Sequence, residues 1–234
     1  AHPGSPLSPH ISIKTSSEIE GMRAACKLAA RTLREASKLV APGVTTEEIN
    51  TFVHEYTMDA GAVPAPLGYG ADPVRGIPPF PKSVCTSIND VICHGIPSRD
   101  EVLKEGDIVN IDVTSILDGF HGDTSRTFLV GEVSPETRQL VEVTQACMMK
   151  GIGTVRAGSR IRDIGAAIED YAHGFGYGVV KEYVGHGIGR SFHEPPQIPH
   201  CRTRGPNPRI KAGMTFTVEP MINIGSPGTV LDRT

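Results

Sequence analysis

The 234-residue sequence is long enough for one large domain or two small ones, and its 38% hydrophobic content with 26 glycines and 19 prolines suits a globular chain rich in turns. The formal net charge of -3 gives no reason to expect a specific nucleic-acid partner. No apolar run approaches the ~20 residues of a membrane helix, and five scattered cysteines without a CxxC pair indicate reduced thiols in a cytoplasmic protein.

The chain opens with AHPGSPLSPH, residues 1–10, which lacks the basic and apolar regions of a secretory signal. We predict a short disordered arm there. A first helix is expected from about Ser17, because Ser17 and Glu20 fit a capping box and apolar residues then recur at helical spacing. Pro42-Gly43 is the predicted stop.

A second helix is expected next. Thr45 and Glu48 form another capping box, and an apolar face follows it. Gly61 is the predicted end of this helix.

The clearest hairpin is GDIVNIDVTSILDGFHGDTSRTFLVGE, in which two β-rich runs flank Asp118-Gly119. This dipeptide suits a two-residue type I′ turn. Such a turn would pair Leu117 with Phe120, Asp112 with Ser125 and Thr114 with Asp123. Asp112 and Asp123 would then be diagonal neighbours on one face, roughly 7–8 Å apart at the backbone, provided that no bulge shifts the register.

The pattern of the first half returns 115 residues later. Ser134 and Pro135 open a helix predicted to reach about Val155, and the next stretch repeats the glycine and apolar spacing of the second helix. Four positions match at constant offset: Gly43 with Gly158, Ile49 with Ile164, Val53 with Ile168 and Tyr56 with Tyr171. This offset indicates an internal duplication, with two α+β halves facing each other around a shared site.

Acidic residues in both halves are candidates for a metal site. Taken alone, Asp112 and Asp123 are equally consistent with solvated or turn-capping side chains. GMTFTVEPMINIG, however, places Glu219 in an apolar predicted strand without a neighbouring lysine or arginine, and His186 follows another predicted strand. Three carboxylates with one imidazole suit Mn, Fe, Co or Zn, and the carboxylate excess favours two ions.

Two further histidines lie next to, or close to, glycines. His193 stands seven residues beyond His186 in VGHGIGRSFHEPP, and we expect it to donate a hydrogen bond to a substrate oxygen rather than to bind the same metal. His94 in VICHGIPS is, taken alone, more typical of a structural residue. It gains a functional interpretation only beside the other histidines.

Four long motifs, FPKSVCTSINDVICHGIP, GDIVNIDVTSILDGFHGDTSRTF, VGHGIGRSFHEPP and GMTFTVEPMIN, resemble type I methionine aminopeptidases. The resemblance runs in register from about residue 10 to the end. It implies an α+β pita-bread fold over residues 11–234, a single catalytic domain with two pseudo-symmetric halves, a central antiparallel sheet and helices on the outer face. It also implies a methionyl aminopeptidase, which removes N-terminal methionine from nascent proteins and peptides when the second residue is small, by attack of a metal-activated hydroxide.

The same resemblance implies roles for individual residues. The metal ligands would be Asp112, Asp123, His186 and Glu219, with Glu219 also taking a proton from water. His94 would contact the scissile amide nitrogen and His193 the carbonyl oxygen. The methionine pocket would be lined by Tyr69, Phe80, Cys85 and Phe192, and backbone carbonyls of Asn89 and Val91 would belong to a monovalent-cation site.

For cofactors, the resemblance implies two divalent ions, with Co, Mn, Fe, Zn and Ni all open, and one monovalent cation. For partners, it implies peptides and nascent chains with N-terminal methionine, transient contact with the ribosome and a monomeric state. Neither a membrane nor a specific nucleic acid is expected.

The sequence departs from the family pattern in three places. A fifth ligand, a bridging glutamate on a further strand pair, and a loop tryptophan would lie beyond Thr234. GADPVRGIPPF is inserted before PKS. Its end, together with the proline of PKS, gives the P-x-x-P run Pro78–Pro81, and the insert is predicted to be a stiff surface loop rather than an adaptor-binding motif. Pro66 replaces a cysteine that is common in the pocket.

Two other functions stay open. A proline-specific pita-bread peptidase would share the metal ligands but differ in pocket motifs. A pita-bread protein without metal, acting as a binding module, is favoured by the fifth ligand missing from the sequence but disfavoured by the four ligands that are present.

Overall fold

The computed structural model describes residues 10–231. The predicted arm therefore falls almost wholly outside the described residues. Helix α1 spans Ser16–Ala36 and is followed by a 3-10 turn at Ser37–Leu39, and helix α2 spans Thr46–Asp59. The first predicted helix thus ends earlier than the Pro42-Gly43 stop.

The start of α1 differs from the prediction. Its N-cap is Thr15, and the capping box joins Thr15 to Glu18 instead of Ser17 to Glu20. Both pairs fit the S/T-x-x-E pattern. The chain selects the earlier pair because the preceding residue, Lys14, is already fixed by a 2.8 Å hydrogen bond from its backbone N–H to the carbonyl of Gly213. The capping box at Thr45 and Glu48 is confirmed.

Two short strands and a long hairpin complete the first half. Strand β1 spans Val63–Pro64 and β2 spans Cys85–Ile88; both pair with one edge of β3, Ile108–Leu117. Strand β4, Phe120–Leu129, pairs with the other edge, and all pairs are antiparallel. Helix α1 packs across β3 and β4. The backbones of α1 and β4 approach each other closely at Gly122, where an added Cβ would lie 2.3 Å from backbone atoms of Ala25.

The second half repeats two helices followed by strands. Helix α3 spans Pro135–Ile152, three residues short of the predicted end, and is capped by Ser134 as expected; helix α4 spans Ile161–His173. Four short strands follow: β5 Tyr177–Val179, β6 Gly185–Gly187, β7 Glu194–Ile198 and β8 Ile222–Ile224. They form two antiparallel ribbons, β5–β8 and β6–β7, rather than one continuous central sheet.

The internal duplication is visible in the backbone. Gly43 and Gly158 have nearly identical φ angles of 92° and 94°. Their N–H groups donate to Leu103 and Ile210 at 2.8 and 2.9 Å respectively. An isolated bridge follows each glycine, Thr45 with Val102 and Arg160 with Arg209. The sequence repeat therefore corresponds to a structural repeat.

Each half has its own apolar core. Ile49 and Val53 belong to the core of the first half, and their counterparts Ile164 and Ile168 to that of the second. Full burial of one such side chain contributes roughly 1.5–3 kcal/mol. A third cluster joins the halves and contains Met22, Ala25, Phe120 and Ile188. The two halves therefore pack together as one body.

All five cysteines are free. Within residues 10–231, no helix combines the length and the apolar character that a membrane crossing requires.

Candidate active site

The hairpin of β3 and β4 positions two acidic side chains as predicted. Asp118 and Gly119 turn the chain with φ angles of 51° and 78°, as a type I′ turn requires. The observed register contains all three predicted pairs: Leu117 with Phe120, Asp112 with Ser125 and Thr114 with Asp123. No bulge interrupts the ladder of these ten pairs, so Asp112 and Asp123 share one face of the sheet.

A histidine and a glutamate from the second half meet this face. One ligand atom from each of Asp123, His186 and Glu219 lies within 4.8 Å of the other two. His186 Nε2 is 3.5 Å from Asp123 Oδ2 and 3.4 Å from Glu219 Oε1. Asp112 is not one of these three, but it shares a sheet face with Asp123, and the charges of Asp123 and Glu219 act on its carboxyl group. The cluster therefore forms where the two halves meet.

His186 presents one ring nitrogen to the acids. It lies within β6 rather than after a strand, and its Nδ1 is 2.9 Å from the carbonyl oxygen of Gly187. The carbonyl can only accept, so Nδ1 carries the hydrogen and Nε2 faces the carboxylates. Burial alone would lower the pKa of His186, but Asp123 and Glu219 outweigh this effect and raise it.

The carboxyl groups are held in an environment that disfavours their charge. Burial, and then the neighbouring charge of Asp123, raise the pKa of Glu219 to about 7. Burial and the charges of Asp123 and Glu219 also raise the pKa of Asp112 well above its usual value. Like charges crowded in this way are stabilised when a cation lies between them.

Two threonines that the sequence analysis did not select support the acids. Thr114 Oγ1 donates to Asp123 Oδ1 at 3.0 Å. Thr217 Oγ1 donates to Glu219 Oε1 at 2.5 Å and accepts from the backbone N–H of His186 at 2.9 Å. The predicted register could have identified Thr114, since it placed this residue opposite Asp123.

A buried histidine holds Glu219 from the backbone side. His200 is 1% exposed, and its Nε2 accepts the N–H of Glu219 at 3.1 Å. Burial lowers the pKa of His200 to about 4, so the ring is neutral and able to accept. The prediction that Glu219 lies within a strand was wrong: it precedes β8 by three residues and is fixed mainly by the side chains of Thr217 and His200.

His193 is close to His186 but has different contacts. The two rings lie 4.1 Å apart between centroids. His193 Nδ1 is 2.6 Å from the hydroxyl oxygen of Tyr69, and the Tyr69 ring is 4.8 Å from that of Phe192. Within residues 10–231, the group of side chains that could hold a metal ion includes His186 but not His193. The structure thus brings Tyr69, Phe192 and His193 together into one wall beside the acids.

The remaining predicted pocket residues lie next to this wall or to the acids. Phe80 is tied to Tyr69 by a backbone hydrogen bond of 2.8 Å, and Cys85 is the cross-strand partner of Asp112. Burial is the main reason why the pKa of Cys85 is raised well above its usual value, and burial raises that of nearby Cys93 to about 12. Both thiols therefore stay neutral at physiological pH.

His94 and the predicted cation residues lie in the connection after β2. Asn89 and His94 have positive φ angles of 51° and 58°, which are uncommon for residues with side chains and are found often at functional sites. The exposed His94 ring packs edge-on against Tyr183 at 5.6 Å. Val91 is 40% exposed in the same connection.

The inserted segment is an exposed, internally bonded loop. Asp72 and Ile77 exchange backbone hydrogen bonds of 3.0 and 2.9 Å, and Asp72 Oδ1 accepts from the N–H groups of Val74 and Arg75. Its base is closed by the bond between Tyr69 and Phe80. This geometry agrees with the prediction of a stiff surface loop.

The donor set fits a divalent metal. Carboxylate oxygens and one neutral imidazole nitrogen are ligands for Mn, Fe, Co and Zn. The Nδ1–H of His186 is bound to a carbonyl, as in known metal-binding histidines, and this leaves Nε2 to coordinate. The raised pKa values of Asp112, Glu219 and His186 favour their protonated forms when no cation is bound, and a metal would replace those protons.

A conservative change at Thr217 tests this support of the site. Thr217→Val removes the hydroxyl that holds Glu219, so we expect the affinity for Mn²⁺ to fall about 10- to 100-fold, the usual effect of losing an outer-shell partner. Thr217→Ser keeps the hydroxyl, so its affinity for Mn²⁺ should be nearly that of the unchanged protein. Thr144→Val, which removes a similar hydroxyl within α3, is the matched control. Titration calorimetry measures all four proteins, and unchanged affinity in Thr217→Val would contradict the supporting role.

Comparison with known proteins gives a consistent assignment. The profile of metallopeptidase family M24 matches residues 20–231. Methionine aminopeptidase A of Synechocystis sp. is 51% identical over 221 residues, which cover 94% of this chain and 84% of that protein. The crystal structure of methionine aminopeptidase from Rickettsia prowazekii is similar with a TM-score of 0.89 and 50% identity, over 96% of this chain and 87% of that one.

Proline-specific relatives are more distant. The structure of a Xaa-Pro dipeptidase from Bacillus anthracis is similar with a TM-score of 0.73 at 26% identity, over 89% of this chain and 54% of that one. The identity to methionine aminopeptidases is about twice as high and extends through both halves. The chain therefore belongs to the methionine aminopeptidases of metallopeptidase family M24.

Proposed function

We propose that this chain is a metal-dependent methionyl aminopeptidase that removes N-terminal methionine when the second residue is small. The observation that carries the proposal is the contact between two histidines that have different hydrogen-bonding and charged partners. His186 faces the carboxylates, while His193, 4.1 Å away, faces Tyr69 and Phe192. The proposed metal-binding side and the proposed substrate-binding side would therefore lie next to each other.

The metal side would be formed by Asp112, Asp123, His186 and Glu219. Three acids beside one imidazole support two divalent ions rather than one, and leave Co, Mn, Fe, Zn and Ni all acceptable. A divalent ion supplies a nucleophile at neutral pH by lowering the pKa of bound water from about 16 to about 7. Asp123 and Glu219 would hold such an ion from opposite halves, and Thr114 and Thr217 keep their carboxylates in place.

The protein's own proton transfer is assigned to Glu219. Thr217 and His200 fix its position beside His186 Nε2, where its carboxylate would take the proton from the attacking water. His193 would donate a hydrogen bond to the carbonyl oxygen of the scissile bond as that oxygen gains negative charge, with Tyr69 holding its Nδ1. His94 would contact the amide nitrogen that leaves.

The substrate side would hold the methionine side chain against rings and a neutral thiol. Tyr69 and Phe192 are in ring contact, and Cys85 lies opposite Asp112 in the sheet. Sulfur packs favourably against aromatic rings, so a thioether side chain suits this lining. Phe80 is tied to Tyr69 by its backbone and would complete the pocket.

Substrate choice tests the proposed function directly. We expect a Met-Ala peptide to be cleaved at least ~10-fold faster than a Met-Leu peptide, since a pocket that excludes extra methylene groups typically discriminates by 10- to 200-fold. Release of free methionine, followed by liquid chromatography, measures both rates. Equal rates would contradict the preference for a small second residue, and faster cleavage of an Ala-Pro peptide would favour a proline-specific peptidase. A chain that binds metal but cleaves neither peptide would favour a binding module.

Other parts of the proposal rest on the family resemblance. The carbonyls of Asn89 and Val91 would bind a monovalent cation in the connection after β2. Nascent chains would be the main substrates, reached through transient contact with the ribosome by a monomeric enzyme. The five free thiols support a cytoplasmic location.

A further inference from the structure

A lysine from the segment before α1 is buried in the second half of the molecule. The side chain of Lys14 is 4% exposed, and its ammonium group forms an ion pair with the carboxylate of Glu194, whose side chain is 16% exposed. Among the described residues, Glu194 is the only acid that lies within 4 Å of this ammonium. A lysine is almost never buried unless it is paired.

Two glycines make room for Lys14, Gly189 for its side chain and Gly213 for its backbone. A Cβ on Gly189 would lie 2.6 Å from Lys14 Cε, and a Cβ on Gly213 would lie 2.8 Å from the carbonyl oxygen of Lys14. The backbone N–H of Lys14 also donates to Gly213 at 2.8 Å. Lys14 is thus in close contact with both loops that lead to the site, the one before His193 and the one before Glu219.

The partner of Lys14 is the residue directly after His193. Glu194 begins β7 and pairs with Gly187, the residue directly after His186. The loop between them is also fixed to the first half, since the N–H of His121 donates to the carbonyl of Gly189 at 2.9 Å. The ion pair therefore fixes the C-terminal end of the loop between Gly187 and Glu194, directly next to His193.

A buried ion pair is an inefficient way to gain stability, because desolvation of both charges offsets their attraction. It does define geometry, since only a narrow range of positions keeps both charges paired. We propose that Lys14 is a positioning residue that, through Glu194, sets the place of His193 relative to Tyr69 and the substrate carbonyl. This inference rests on the proposed function for the role of His193, but the position of the ring can be measured without it.

A double-mutant cycle tests the proposal. Lys14→Met keeps the length of the side chain and removes its charge. We expect kcat on a Met-Ala peptide to fall up to about 100-fold, the effect of a displacement near 1 Å in a catalytic group, with KM and metal content nearly unchanged. In a His193→Ala background the same substitution should cause no further loss, because it acts through His193. Lys27→Met, on the exposed face of α1, is the matched control.

The outcomes separate the alternatives. Equal losses of kcat in both backgrounds would show a general structural role and overturn the proposal, and so would loss of bound metal in Lys14→Met. If Lys14→Met does not fold, Glu194→Asp keeps both charges but withdraws the carboxylate by one methylene, and the same cycle applies to it.

A spectroscopic measurement needs no activity. The ¹⁵N shifts of the His193 imidazole, assigned by their absence in His193→Ala, should move in Lys14→Met or Glu194→Asp, since the bond to Tyr69 changes. Unchanged shifts would overturn the inference even if the peptide is not cleaved. Absence of cleavage by the parent chain, with shifts that do move, would overturn the proposed function alone.

Discussion

Replacing the two histidines of VGHGIGRSFHEPP should give two different defects. His186→Ala removes a proposed metal ligand, so we expect metal affinity to fall by more than about 100-fold, beyond the usual effect of losing an outer-shell group, and activity to be lost with it. His193→Ala should keep its metal and lose ~10²–10³ in turnover, the typical result of removing one donor to a developing oxyanion. Metal content by atomic spectroscopy and kcat on a Met-Ala peptide measure the two defects separately.

The control is His173→Ala, which changes an exposed histidine at the end of α4. The rings of His186 and His193 are only 4.1 Å apart, so proximity alone does not separate their roles. Their hydrogen bonds do, because His186 Nδ1 faces a backbone carbonyl and His193 Nδ1 faces the Tyr69 hydroxyl. If His193→Ala loses metal as readily as His186→Ala, this division is wrong.

Local signals in the sequence predicted the hairpin and most helix starts. A two-residue turn at Asp118-Gly119 fixes the register of the strands beside it, so the shared face of Asp112 and Asp123 followed from the turn alone. The duplication was predictable for a similar reason. A glycine with positive φ is a local feature that depends on its immediate neighbours in the sequence. The same feature occurs in both halves, at Gly43 and Gly158.

Contacts between distant segments could not be predicted. The strand assigned to Glu219 followed from its apolar, β-branched neighbours, but a strand needs a partner. Residues 214–221, which lead into β8 and are all described, have only an isolated bridge, between Gly187 and Phe216. The supports from Thr217 and His200, and the insertion of Lys14, join residues that are far apart in sequence or belong to irregular segments. A single sequence carries no periodic pattern for such contacts.

Replacing Glu219 should have the largest effect in the molecule. Glu219→Gln keeps the size of the side chain but removes the charge that would hold metal and the oxygen that would take a proton. General-base catalysis alone accounts for about 10²–10⁴ in rate, and weaker metal binding adds to this loss. We therefore expect kcat to fall by at least ~10⁴, together with reduced metal content. Glu182→Gln, an exposed carboxylate outside the site, is the control.

Glu219→Asp separates the two parts of that effect. It keeps a charged group but draws it back by one methylene from His186 and from the Thr217 hydroxyl. If metal binding is the main role of Glu219, this variant should regain most of its activity at high metal concentration. If proton transfer dominates, extra metal should restore occupancy but not turnover, because the proton acceptor stays displaced. Full activity of Glu219→Gln at ordinary metal concentration would contradict both roles, and the general base would then have to be sought among the other carboxylates of the cluster.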